Sequence, residues 1–215
     1  MSDSVKNWNQ IKLNIADRAK LVAVSKTISL QEIEIVLQSG QRVFGENRIQ
    51  EAQSKWSGLK LRYPDVELHL LGPLQSNKVA DAVELFDVIQ TVDRPKIAKA
   101  LATEMQKQGR YLPCFVQVNI GQEQQKAGVD PAELGAFLQL VKVNLGLNIV
   151  GLMCIPPAAK SPQPYFKALA QMAEQNGLTQ LSMGMSGDYL DAIAEGATCV
   201  RVGSAIFGGR LQITK

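Results

Sequence analysis

The sequence is short of the residues from which many sites are built. It holds one histidine, His69, and three cysteines among 215 residues. A single histidine rules out a His-rich metal centre, and no metal site is expected. Cys114, Cys154 and Cys199 are far apart, odd in number and set inside apolar runs. That pattern excludes a Cys-x-x-Cys zinc or redox site and argues against a disulfide framework. The three read as buried, reduced thiols of a cytoplasmic protein. No stretch reaches ~18 apolar residues, so no membrane-spanning helix is expected. The opening MSDSVKNWNQ lacks an apolar core, so no secretory signal is expected either. Charge of one sign is not in excess, with 23 basic against 20 acidic residues and a net charge of +3. Without a basic cluster or stripe, nucleic-acid binding is not expected.

What is present is alternation. Short apolar, β-branched runs are followed by longer amphipathic ones, the mark of a parallel sheet with crossover helices. Residues 4–19 predict an amphipathic helix with Val5, Trp8, Ile11, Ile15 and Ala19 on one stripe. Residues 21–25 predict the first strand. Ser29 with Glu32 three residues on predicts a capping box, and Gly40 ends the helix that follows. Further strands are predicted at 42–45, 67–71, 87–91, 112–120, 147–155, 180–183 and 198–202. Helices are predicted between them at 47–56, 75–85, 95–108, 130–143, 163–175 and 186–195, with a short helical turn at 204–208. Roughly eight strands alternating with helices in a chain of this size predict one α/β domain over residues 1–215, a closed (β/α)₈ TIM barrel. The extra N-terminal helix would stand where the last outer helix is missing. An open doubly wound sheet is the rival, weakened by the lack of a Gly-x-Gly-x-x-Gly turn after the first strand.

In such a barrel the chemistry lies at the C-terminal ends of the strands. The first strand ends in Ser25-Lys26-Thr27. A lysine there can simply exit the core to solvent. Partial burial would instead favour a neutral amine, which attacks aldehydes. The seventh strand leads into Met183-Gly184-Met185-Ser186-Gly187-Asp188, and the eighth into Gly203-Ser204. Small residues at such turns let backbone N–H groups and hydroxyls approach a phosphate, though Ser186 can equally serve only as a helix cap. Closing the sheet brings the eighth strand beside the first. Lys26 at one end and the Gly203-Ser204 turn at the other suit a phosphorylated aldehyde, with Arg201 between them.

These motifs resemble a known family. Val22-Ala23-Val24-Ser25-Lys26-Thr27 is similar to the cofactor-lysine strand of the pyridoxal phosphate homeostasis proteins. Phe44-Gly45-Glu46-Asn47-Arg48-Ile49-Gln50-Glu51 and His69-Leu70-Leu71-Gly72-Pro73-Leu74-Gln75-Ser76-Asn77-Lys78 resemble its second and third signatures. Leu181-Ser182-Met183-Gly184-Met185-Ser186-Gly187-Asp188 and Val200-Arg201-Val202-Gly203-Ser204-Ala205-Ile206-Phe207-Gly208 are similar to its C-terminal block. The match runs in order over nearly the whole chain.

The resemblance implies a fold type III barrel that binds pyridoxal 5′-phosphate (PLP), related to the N-terminal domain of bacterial alanine racemases. By that likeness Lys26 carries PLP as an internal aldimine. Ser186, Gly203 and Ser204 hold the phosphate, Arg201 faces the pyridine nitrogen, and Asn47 lies beside the cofactor. It further implies a role in intracellular vitamin B6 homeostasis and in amino-acid and keto-acid balance, with PLP-dependent apoenzymes as recipients and no robust catalysis. A cationic Arg201 would oppose protonation of the ring nitrogen and weaken the cofactor as an electron sink. The racemases take a second acid from a β-domain and a dimer partner. This chain runs only to Lys215, so an open cofactor face and a monomer are expected. The alternative is an amino-acid racemase or another PLP-dependent enzyme of the alanine racemase type. A phosphosugar isomerase ranks last, because Glu46 is the only good base at a strand end. His69 reads as a structural histidine. Lys78 reads as a solvated lysine or a second acceptor for PLP, Met183 and Met185 as packing, and Asp188, Tyr189 and Asp191 as helix-start and surface residues.

Overall fold

The computed structural model describes residues 2–158 and 160–208. Residues 209–215, where the sequence reading placed the end of the domain, lie outside the described residues. Eight parallel strands close into a barrel in chain order. They are β1 Lys20–Val24, β2 Val43–Glu46, β3 Glu67–Leu70, β4 Val88–Val92, β5 Cys114–Val118, β6 Ile149–Cys154, β7 Gln180–Ser182 and β8 Cys199–Val202. The helices are α1 Asp3–Ile15, α2 Leu30–Gln38, α3 Ile49–Arg62, α4 Val79–Leu85, α5 Pro95–Gln108, α6 Leu134–Leu138, α7 Gln163–Gln175, α8 Tyr189–Ala194 and α9 Ser204–Phe207. A 3₁₀ turn Ser76–Lys78 leads into α4, another, Pro131–Glu133, into α6, and a π-helical stretch Gln139–Asn144 extends α6. Among the described residues no helix is long and apolar enough to cross a membrane.

Local chemistry explains where elements start and stop. The Ser2 hydroxyl accepts from the Val5 N–H, so α1 begins before the predicted boundary. It ends at Ile15 because Ala16 and Asp17 turn left-handed, with φ of 48° and 59°. Its buried stripe is Ser4, Trp8, Ile11 and Ile15, so Ser4 takes the place predicted for Val5, and Ala19 lies beyond the helix. The Ser29 hydroxyl accepts from the Glu32 N–H as predicted. The reciprocal half of the capping box is absent, because the Glu32 carboxylate accepts instead from Ser4 Oγ at 2.6 Å. The predicted helix at 186–195 shrinks to α8, since Gly184 adopts φ 88° and Asp188 ties its carboxylate to the Met185 N–H.

The N-terminal helix fills the predicted gap. Asn7 donates to the Ile206 carbonyl at 3.1 Å, joining α1 to α9. Asn14 donates to the Tyr189 hydroxyl at 2.9 Å, joining it to α8. Tyr189 is thereby buried, not a surface residue as its place in the sequence suggested. Trp8 donates through its indole to Gln41, just before β2. One polar contact on each side thus orients a helix whose attachment energy is hydrophobic.

Trp56 anchors α3 to the barrel. It is fully buried, with its ring centroid 4.9 Å from that of Phe44 on β2. Trp56→Ala is expected to cost about 3–5 kcal/mol of unfolding free energy in a urea titration. A loss below about 1 kcal/mol would show that the helix is held by something other than this packing.

Candidate cofactor site

The turns after β1 and β8 meet at the C-terminal mouth. Strand pairing aligns Lys20 with Cys199 and runs through to Ala23 with Val202. The next residues, Val24 and Gly203, are in contact, and a Cβ on Gly203 would lie 3.1 Å from the Val24 carbonyl oxygen. Glycine is therefore the residue that lets these two backbones approach. Lys26 leaves β1 two residues further on and Ser204 opens α9 one residue further on. The barrel closure brings the backbone turn that carries Lys26 beside the one that carries Gly203 and Ser204.

The first strand ends one residue before the predicted Ser25. The strand stops at Val24, and Lys26 occupies a turn, half-buried. Its amine makes no hydrogen bond or ion pair among the described residues. The turn is held from below. Ser25 donates to Glu46 Oε1 at 2.7 Å, Trp56 donates to the same oxygen at 3.1 Å, and Lys55 Nζ reaches the Ser25 carbonyl at 2.8 Å. Lys55 also pairs with Glu51 at 2.6 Å and with Glu46 at 3.3 Å. Thr27 then adopts φ 62°, a left-handed conformation that a β-branched residue adopts only at a cost. The Glu51 carboxylate accepts its backbone N–H and holds it there. Burial raises the Glu51 pKa, yet the Lys55 and Thr27 contacts outweigh it and the net shift is down. Burial dominates at Glu46, whose pKa is pushed up, and its Oε2 is buried with no partner among the described residues. Glu46 is therefore a sealed structural carboxyl, not the open base considered at that strand end.

Ser186 lies in the turn after β7. Its hydroxyl accepts from the backbone N–H of Gly203 at 3.3 Å and of Ala205 at 3.2 Å. It caps α9 on the neighbouring strand's turn and not its own helix. Two backbone donors and a hydroxyl thus converge, and Ser204 beside them is exposed. Arg201 on β8 is 5% exposed. It donates to Ser182 Oγ at 2.6 Å and to the Cys154 carbonyl at 2.8 Å, at the ends of β7 and β6. No carboxylate pairs with it among the described residues. Burial lowers its pKa, although a guanidinium remains a cation in proteins. A buried cation with spare donors suits an acceptor from outside the chain. Asn47, just past β2, is half-buried with its amide unbonded among the described residues, and its backbone carbonyl packs so closely on Gly72 that a Cβ there would lie 2.0 Å away.

Other sequence-based candidates sit elsewhere. His69 lies toward the opposite mouth, where a cavity of about 500 Å³ is lined by Lys20, Glu67, His69, Asp87, Phe115 and Cys199, among others. Lys78 pairs with Asp81 at 3.1 Å. Met183 is fully buried as expected, but Met185 is 38% exposed. The cysteines are free and buried, and burial pushes the Cys114 and Cys154 thiols up to about 12. The sequence reading missed the Ser25–Glu46–Lys55–Glu51 network. Only the i,i+4 spacing of Glu51 and Lys55 was a signal for it.

The alanine racemase N-terminal-domain family model matches residues 3–211. A pyridoxal phosphate homeostasis protein of Vibrio alginolyticus is 40% identical over 204 residues, covering 90% of this chain and 88% of that one. One from Synechocystis sp. is 38% identical over 213 residues, covering 95% and 97%. Among solved structures, PipY of Synechococcus elongatus with PLP bound has a TM-score of 0.87 at 38% identity, covering 95% of this chain and all of that one (100%). Alanine racemase from Bartonella henselae, with covalently bound pyridoxal phosphate, has a TM-score of 0.75 at 18% identity, covering 98% of this chain and 63% of that one. The last likeness concerns the fold alone.

At the far mouth, Glu67 accepts from His69 at 2.5 Å and from Lys20 at 2.8 Å. These contacts, the His69 bond foremost, hold its pKa at about 2 against burial, below the ordinary 4.5. A carboxyl with a depressed folded pKa stabilises when ionised. Its contribution is complete above pH 4.5 and is lost as the pH falls toward about 2. Urea midpoints measured across that window should fall less steeply for Glu67→Gln than for the wild type. Parallel slopes would show that this carboxyl contributes nothing to acid stability.

Proposed function

The chain belongs to the alanine racemase N-terminal-domain family, within it to the pyridoxal phosphate homeostasis proteins, and on that footing we propose that it holds PLP as an internal aldimine on Lys26 and serves intracellular vitamin B6 balance as a carrier. The observation that carries this reading is the junction of the turns after β1 and β8, where Val24 abuts Gly203. A half-buried lysine whose amine has no partner among the described residues and a set of converging anion donors flank that junction, and the two ends of a phosphorylated aldehyde need those two groups.

Each residue then has a physical task. The strained turn at Thr27, braced by Glu51 and Lys55, presents the Lys26 amine. Ser186, Gly203 and Ser204 hold the phosphate with hydroxyl and backbone donors. Arg201 donates to the pyridine nitrogen, and Asn47 lies beside the ring. Bound PLP supplies an aldehyde and an electron sink. A fixed cation at the ring nitrogen weakens that sink, which favours a carrier over an enzyme. The names of the homeostasis-protein relatives support the same choice. By this reading residues 1–215 act as one PLP-binding domain and as a monomer, delivering PLP to PLP-dependent apoenzymes and so affecting amino-acid and keto-acid balance. Three free thiols support a reducing, cytoplasmic setting.

Purified protein incubated with PLP and reduced with borohydride is expected to yield a peptide modified at Lys26. Lys26→Ala should lose that adduct yet keep weaker, phosphate-dependent binding. A wild-type protein that takes up no label at Lys26 would overturn the reading. Incubation with a panel of amino acids in deuterium oxide should give no Cα exchange, whereas ready exchange would favour the racemase alternative.

A further inference from the structure

The barrel interior is crossed by a line of hydrogen bonds. Ser182 on β7 donates to Gln90 Oε1 on β4 at 2.5 Å. These strands are not neighbours in the sheet, so the bond spans the lumen. Gln90 Nε2 meets His69 Nδ1 on β3 at 2.7 Å, and His69 Nε2 meets Glu67 at 2.5 Å. At the other end Arg201 donates to Ser182 at 2.6 Å. His69, Gln90, Ser182 and Arg201 are each at most 5% exposed.

The direction of every bond is forced. Glu67 is a carboxylate, so His69 Nε2 must carry the proton toward it. Burial lowers the pKa of His69 and keeps the ring neutral, which leaves Nδ1 as an acceptor. Gln90 must then turn its amide nitrogen to His69 and its oxygen to Ser182. The Ser182 hydroxyl proton is thereby committed to Gln90, and its lone pair is left for Arg201. Four groups donate in one sense, from the cation Arg201 to the anion Glu67, which Lys20 also holds at 2.8 and 3.0 Å. Aligned bonds of this kind polarise one another in a low-dielectric interior.

We infer that His69, Gln90 and Ser182 are positioning residues for the cofactor: by fixing the acceptor that Arg201 sees, they aim its remaining N–H donors at the PLP ring nitrogen. This rests on the proposal above that Arg201 faces that nitrogen. Among the described residues two of the guanidinium's donors are engaged, one on Ser182 and one on the Cys154 carbonyl. If Ser182 were free to turn its proton toward Arg201, the first contact would become repulsive and the guanidinium would swing. The far-mouth pair of Lys20 and Glu67 thus anchors the end of a line of bonds that starts at Arg201 on the other side of the barrel.

The test compares PLP with its carbocyclic 1-deaza analogue, which keeps the aldehyde, hydroxyl and phosphate but has C–H in place of the ring nitrogen. Apparent affinities are read by spectral titration of apoprotein, with Lys26 adducts counted after borohydride reduction. The wild type should bind PLP about tenfold or more tightly than the analogue. Ser182→Ala and Gln90→Met should each weaken PLP by about tenfold while leaving the analogue within about twofold, so that the preference for the ring nitrogen collapses. Equal losses for both ligands, or no loss, would make the line of bonds merely structural. A wild type that does not distinguish the ligands would overturn the inference without any variant, even if both variants failed to fold. If neither ligand labels Lys26 in the wild type, it is the carrier reading that has failed.

Discussion

The backbone contact between Val24 and Gly203 is where the barrel closes, and the site depends on it. Lys20 to Ala23 pair with Cys199 to Val202, so the first and last strands of the chain lie side by side. Sequence places Lys26 and Ser204 far apart, and only closure sets the turns that carry them on adjacent strands. Strand pairing is strict because a slip of one residue would turn every side chain to the other face. Val22 and Arg201 sit opposite each other in that register, so a slip would also expel Arg201 from the interior. The glycine and the register are therefore one constraint seen from two sides.

Around that junction the barrel tolerates polar groups that an apolar core would not need. Burying a carboxyl or a guanidinium costs several kcal/mol unless hydrogen bonds compensate. Glu46 is compensated by Ser25, Trp56 and Lys55, and it braces the turn that presents Lys26. Arg201 is compensated by Ser182 and the Cys154 carbonyl. Both networks place long-range hydrogen bonds under a strand end at the same mouth. Stability alone would favour hydrophobic residues at these positions, so their value lies in fixing geometry.

Much of this was legible in the residues. α5 and α7 match the predicted 95–108 and 163–175, because Pro95 starts the first helix and Gly109, at φ 66°, stops it. Every strand boundary fell within two residues of its predicted place. The order of the elements and the closure followed from alternation and chain length. The errors share a cause. Glu32 bonds to Ser4 in another helix, Ser186 bonds to the turn after β8, and His69 faces the far mouth. Each is a side chain whose partner is tertiary, and local spacing carries no information about it. Thr27 in a left-handed turn was likewise invisible, since nothing in Ser-Lys-Thr demands it.

The placement of His69 shows why the two mouths should be considered together. An isolated buried histidine is a liability, because it can titrate and leave a charge in the lumen. Here Glu67 takes one nitrogen and Gln90 the other. Burial outweighs the carboxylate and holds the ring neutral, so the lumen gains a fixed dipole and no extra charge. A charged histidine could not accept from Gln90, and the amide would have to flip. Ser182 would then face an N–H, surrender its proton elsewhere and meet Arg201 differently. If the line of bonds aims the guanidinium as inferred above, the neutrality of one imidazole near the far mouth is a condition for the orientation of Arg201 at the other.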